Sequence, residues 1–165
     1  MTTPLSPKDA LLVRLRATRQ DVLDAIAGLG DDQFAHPMTP GGPPARDVLA
    51  HLLVWDWAKR DLIQQGLAGG TPAFVAMMAD VDLTNDQAAA EWRDRPVADL
   101  LAAMQAEHAA LVQAVAALTA AQLAQSAPPR GFGDPGDTLL TAIDGTAWHN
   151  AEHAAELAAW RATLG

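Results

Sequence analysis

The chain has no cysteine and no tyrosine, and only three phenylalanines among 165 residues. Without thiols there can be no disulfide, no thiolate metal site and no cysteine nucleophile, so any metal ion must be held by imidazole, carboxylate or carbonyl groups. Positive charge is scarce as well. Eleven Lys and Arg against 20 Asp and Glu give a formal net charge of −9, which argues against a nucleic-acid partner, because such binding needs a basic face that displaces counterions. Long apolar runs are missing too. The stretch from Leu100 to Leu118 is interrupted by Gln105, Glu107, His108 and Gln113, too polar to span a bilayer, so no membrane association is expected. The start, MTTPLSPKDALL, lacks the basic and apolar segments of a signal peptide, and a cytoplasmic location is the expectation.

Half of the residues are apolar, and charges are spread along the chain. That composition predicts one globular domain over residues 1–165, large enough to bury a core without staples. Ser6-Pro7-Lys8-Asp9 reads as a helix start, with Ser6 as N-cap and Pro7 at the first helical position. Leu11, Leu15, Val22, Ile26 and Leu29 follow at helical spacing until Gly28 and Gly30 signal the stop. His36 to Pro44 is dense in Pro and Gly and predicts an extended loop. A second helix is expected from about Ala45 to Leu67, with Val48, His51, Leu52, Trp55 and Leu62 on one side.

Thr71 to Leu83 shows no clear period and reads as a crossover with one helical turn. Thr84 is expected to cap a short helix carrying Ala88 to Trp92. Pro96 then opens a third long helix in which Leu101, Met104, His108, Leu111, Val115 and Leu118 alternate at spacings of three and four. Ala127 to Gly136 is a further Pro/Gly-rich loop, after which Asp137 or Thr138 caps a fourth helix running to about Thr163. Four long amphipathic segments and no alternating strand predict an all-α four-helix bundle.

Histidine is the remaining metal-ligating residue type of note. His149 and His153 lie four apart on the last helix, on one face and roughly 5–6 Å apart at Cβ. His51 sits at the edge of the second helix's apolar face. Two ligands from one helix and one from another would make a three-imidazole site with open positions, as catalytic sites have, suited to zinc or nickel rather than to calcium or magnesium. The residues alone leave a second reading open, in which these are half-exposed helix-edge histidines. His108 falls at the centre of an apolar stripe, where it needs a hydrogen-bond partner; Asn150, also pointing inward, is one candidate. Trp55 and Trp160 share edges with the proposed ligands and could wall a substrate cleft, so Trp55, His108, Asn150 and Trp160 form the pocket candidates. The other tryptophans, Trp57, Trp92 and Trp148, are assigned to core packing. Glu152 reads as a solvated carboxylate and His36 as a structural loop residue.

Two segments carry a resemblance. The first runs from His36-Pro37 through Pro40-Gly41-Gly42 to Ala45-Arg46-Asp47-Val48-Leu49-Ala50-His51-Leu52-Leu53-Val54-Trp55; the second is His149-Asn150-Ala151-Glu152-His153. With these the chain resembles the DinB-like (YfiT-like) superfamily, which includes bacillithiol and mycothiol S-transferases and maleylpyruvate isomerase domains. The central segment, through Asn85 and Trp92, is similar to the DfsB group, whose members commonly lack the full triad. The resemblance implies metal ligation by His51, His149 and His153, a long crossover between the second and third bundle helices, and frequent homodimers. It also implies a metal-dependent thiol S-transferase or hydrolase acting on small reactive or xenobiotic molecules, with a low-molecular-weight thiol among the expected partners. The alternative it leaves is a non-catalytic small-molecule-binding or stress-response protein with an empty site.

Overall fold

The computed structural model describes residues 4–126 and 138–164. Eight helices are found among them: α1 (Pro7–Ile26), α2 (Asp31–Phe34), α3 (Ala45–Ala68), α4 (Ala73–Ala79), α5 (Val81–Trp92), α6 (Val97–Ala117), α7 (Ala120–Leu123) and α8 (Leu139–Arg161). No strand occurs among the described residues, so the chain is all-α, with α1, α3, α6 and α8 as the four long bundle members. Ser6 caps α1 by accepting from the Asp9 amide, and Thr138 caps α8 in the same way through Thr141. The expected loop Ala127–Gly136 lies outside the described residues.

Cross-helix contacts give the direction of each helix. Arg14 bonds Asp144 near the start of both α1 and α8, and Arg161 donates to the carbonyls of Asp24 and Ala25 near the end of both, so these two run parallel. Arg46 reaches the carbonyls of Trp92 and Arg95 just ahead of α6, and Arg60 pairs with Glu107, so α3 and α6 are also parallel. Lys8 donates to the carbonyls of Ala116 and Leu118, which sets α1 antiparallel to α6. The order is therefore up, down, down, up. Two consecutive parallel helices demand a return over the length of α3, about 36 Å for its 24 residues, and α4 and α5 make that return.

The expectation of a mostly irregular crossover is thus corrected. Residues 73–79 and 81–92 are helical, and the cap of α5 is Asp80, whose side chain accepts from the Leu83 amide. Thr84 sits inside the helix and its hydroxyl donates to the carbonyls of Asp80 and Met77. The loop before α3 is not extended either. Thr39-Pro40-Gly41-Gly42 makes a turn closed by the Gly42 amide on the Thr39 carbonyl at 2.9 Å, and Pro37 and Pro44 pair across it. Proline at the second turn position and Gly41 at φ +77° in the third suit a type II turn.

The core falls into two apolar halves. One gathers Leu11, Leu15, Trp55, Leu62, Leu111, Val115 and Ile143; the other gathers Val22, Leu49, Leu52, Leu100, Met104, Leu157 and Trp160. Between them lies a polar layer. The Asp56 carboxylate accepts from Arg19 at 2.6 Å and bonds His108 Nδ1 at 2.8 Å through the same oxygen. Arg19 also donates to Asn150 Oδ1 at 3.1 Å, and His108 Nε2 donates to the Leu15 carbonyl at 3.0 Å. All four side chains are buried. His108 is therefore a satisfied core histidine, but its partner is Asp56 and not Asn150.

Only α6 among the described helices is long and apolar enough to cross a membrane, and Val97, Leu100, Met104, His108, Leu111, Val112 and Val115 on it are buried in the bundle. Removing the charge of Asp56 leaves a buried guanidinium without its counter-ion. Asp56→Asn is expected to lower unfolding stability by about 3–5 kcal/mol, whereas Asp144→Asn, at the exposed pair with Arg14, costs less than about 1 kcal/mol. Urea titration of both variants checks the contrast, and equal losses would deny the polar layer its role.

Candidate metal centre

His51 lies two turns into α3, and His149 and His153 lie in the middle of α8. Because α3 and α8 run antiparallel, these positions meet at the same height along the bundle edge. The three ligating nitrogens lie within 4.8 Å of one another. His149 Nε2 is 2.7 Å from His51 Nε2 and 3.1 Å from His153 Nε2. Tetrahedral bonds of 2.0–2.1 Å would set such nitrogens roughly 3.4 Å apart, so spreading by about 0.7 Å at the first pair and about 0.3 Å at the second admits an ion.

Neighbouring groups decide which nitrogens carry protons. His51 Nδ1 lies 2.8 Å from Asn85 Oδ1, which also accepts from Trp55 Nε1 at 3.0 Å. An amide oxygen can only accept, so His51 donates through Nδ1 and its Nε2 presents a lone pair. The Trp55 N–H also lies 3.1 Å from His51 Nδ1, but two N–H groups cannot bond each other, and Asn85 takes both. His153 Nδ1 faces the Glu156 carboxylate at 2.7 Å, which likewise leaves its Nε2 as a lone pair. Carboxylate and amide oxygens behind the imidazoles are the usual means of fixing the ligating tautomer. Two lone pairs thus converge on the third ring's Nε2, which can carry at most one proton to share between them. The donor set fits a cation better than it fits itself.

Burial pushes His51 down to about 4 and His149 down to about 3. For His149 the neighbouring imidazoles, Lys59 and Arg19 add to the lowering. Both rings are neutral at physiological pH and open to a metal.

Against one side of the triad lies a cavity of about 210 Å³, lined by His51 and His149 together with Trp55, Phe74, Thr146 and Trp148 among others. Of the four pocket candidates, the structure places Trp55 on this cavity. It places Trp160 elsewhere, buried in the apolar half of the core with Val22 and Leu157. His108 and Asn150 belong to the polar layer and do not line the cavity. Trp148 is 64 % exposed at the cavity rim and Trp57 is 39 % exposed, so neither is core. Trp92 is half-buried, with Arg95 stacked on its ring at 4.6 Å. Glu152 is exposed, as anticipated; the carboxylate that orients a ligand ring is Glu156, one turn on from His153. His36 is exposed in its loop.

Asn85, Glu156, Lys59 and Asp56 were not singled out for roles by sequence reasoning. Glu156 alone carried a local signal, since a carboxylate three residues after a helical histidine lies on the same face. Asn85 comes from the crossover, and nothing in its neighbourhood marks it as a partner for a residue 34 positions earlier.

A family model described as the DinB superfamily matches residues 14–157, which takes in all three histidines. Among curated proteins and solved structures, none matches the chain.

The depressed values set a pH dependence. An unfolded chain takes up protons on histidine near pH 6.5, while the folded chain resists until about 4 at His51 and lower at His149, so stability present above 6.5 is lost as pH falls toward 4. The slope is at most about 1.4 kcal/mol per pH unit for each ring. Urea midpoints of the chelator-treated protein should fall more steeply between pH 7 and about pH 5 than those of His51→Gln, and parallel curves would contradict the burial effect.

Proposed function

This chain belongs to the DinB superfamily, and from that premise we propose that it is a metal-dependent enzyme acting on small reactive or xenobiotic molecules. His51, His149 and His153 hold one divalent ion, zinc or nickel by the preference of imidazole donors. The observation that carries this reading is the convergence of three Nε2 atoms on one point beside a cavity, with oxygen acceptors behind two of the rings. An ion held there would polarise a substrate oxygen or bring the pKa of a bound water or thiol toward neutrality.

The chain's own residues do the rest. Asn85 and Glu156 hold His51 and His153 in the ligating tautomer. Trp55 donates to Asn85 and so holds that amide in place, while its ring walls the cavity. Three protein ligands leave coordination positions open, as catalytic sites require. The reaction class is thiol transfer to an electrophile or hydrolysis, with a low-molecular-weight thiol as co-substrate in the first case.

Elemental analysis of protein purified without an affinity tag tests the reading, comparing the native chain with His149→Ala/His153→Ala. Near-stoichiometric zinc or nickel is expected in the native chain and less than about a tenth of that in the variant, since loss of two of three ligands removes most of the affinity. Absence of metal from both, after incubation with zinc and nickel, would favour a small-molecule-binding protein without catalysis.

A further inference from the structure

Lys59 is buried at 8 % exposure, one turn beyond Trp55 on α3, and it lines the cavity next to the triad. Its ammonium lies 4.1 Å from the centre of the Phe74 ring. Among the described residues it has no carboxylate or carbonyl partner, and the cavity lining contains no acid. Of the carboxylates near it on the helix, Asp56 is already bonded to Arg19 and His108, and Asp61 accepts from the Ala73 amide. An aromatic face attracts a cation but accepts no strong hydrogen bond, so three N–H donors of a buried charge are left to the cavity. A second polar group on the lining also lacks a partner. Thr146, 4 % exposed and also on the lining, has a buried hydroxyl without a hydrogen-bond partner among the described residues. Burying such groups unpaired costs stability, and both stand at one apolar cavity.

We propose that Lys59, assisted by the Thr146 hydroxyl, is the substrate-recognition cation of this cavity, which takes a small apolar molecule bearing one negative charge, in particular a single-ring aromatic carboxylate. The size follows from the volume: about 210 Å³ exceeds the roughly 150 Å³ cavity that accommodates benzene. The ring lies against Trp55 and Phe74, and the carboxylate accepts from Lys59. The metal triad forms another part of the same wall, since His51 and His149 line the cavity and the charge of Lys59 is felt at His149. The space beside Gly145 on the same lining is open, since a Cβ built there meets nothing within 4 Å. Burial also holds Lys59 down to about 8, which an anion in contact would reverse. The inference rests on the cavity being the substrate site proposed above.

The test is calorimetric binding of phenylacetate and its neutral amide, phenylacetamide, to chelator-stripped protein, so that a carboxylate cannot score by ligating a metal. The acid is expected to bind at least about tenfold more tightly than the amide, the worth of one charge-assisted hydrogen bond. Lys59→Met should bring the two ligands to parity and Lys59→Arg should restore the preference. Zinc content should stay unchanged in both variants, which separates this role from the metal reading. Lys59→Met should also melt about 2–4 °C higher than the native protein, having lost an unpaired buried charge. Equal affinity of the native protein for acid and amide, binding of neither, or a preference that survives in Lys59→Met would overturn the proposal. The native comparison decides even if a variant does not fold. A chain that holds no metal yet prefers the acid would keep this inference and reject the metal-dependent one.

Discussion

The Asp56 carboxylate is the constraint on which the arrangement of the bundle depends. It faces Arg19 from α1 and His108 from α6 while standing on α3, and Arg19 extends the link to Asn150 on α8. All four long helices therefore meet in one buried polar layer between two apolar halves. An apolar contact tolerates sliding by a turn, because one leucine replaces another at modest cost. A buried charge does not, since any shift leaves it without a partner and costs several kcal/mol. The layer sets the relative height of the helices as a polar position sets register in a coiled coil.

That height is what makes the histidine site. On α8, Asn150 points into the polar layer and His149 beside it points to the groove with α3. On α3, Asp56 points inward five residues after His51. With the first pair held by the layer, the second pair meets across the groove, and His153 joins one turn along α8. The crossover completes the surroundings. Ala73 at the start of α4 is anchored by the Asp61 carboxylate at 2.7 Å, Phe74 closes over Lys59, and Asn85 of α5 reaches back to His51. A segment that exists because two consecutive helices run parallel thus supplies the oxygen that fixes the ligand tautomer.

The groove departs from the rule that buried polar groups are paired. Neutral imidazoles with converging lone pairs, an ammonium over a ring and an unpartnered hydroxyl lie along one cavity. Each lowers stability as it stands, and each is relieved by a ligand of opposite character. Several such groups gathered at one apolar cavity mark a binding site, although Arg19 Nε and Nη1 and Asn150 Nδ2 in the polar layer also lack partners among the described residues.

Periodicity alone made the long helices, their apolar faces and the all-α class readable, because a stripe at three- and four-residue spacing has few other uses. The i,i+4 pair His149 and His153 was likewise local, and so was the capping by Ser6 and Thr138. Resemblance in two short segments singled out His51. The helical crossover escaped because α4 and α5 are short, of 7 and 12 residues, and are held by packing on α3. Trp160 was misplaced because a residue at a helix edge can turn to either neighbour, and only the packing of α8 against α1 and the second core half decides which. Asn85, Asp56 and Lys59 carry no sequence signal, since their partners are 34, 52 and 15 positions away in the chain. Residue order determines what each helix offers on each face; which faces meet is decided by the burial of charge, a property of the assembled bundle.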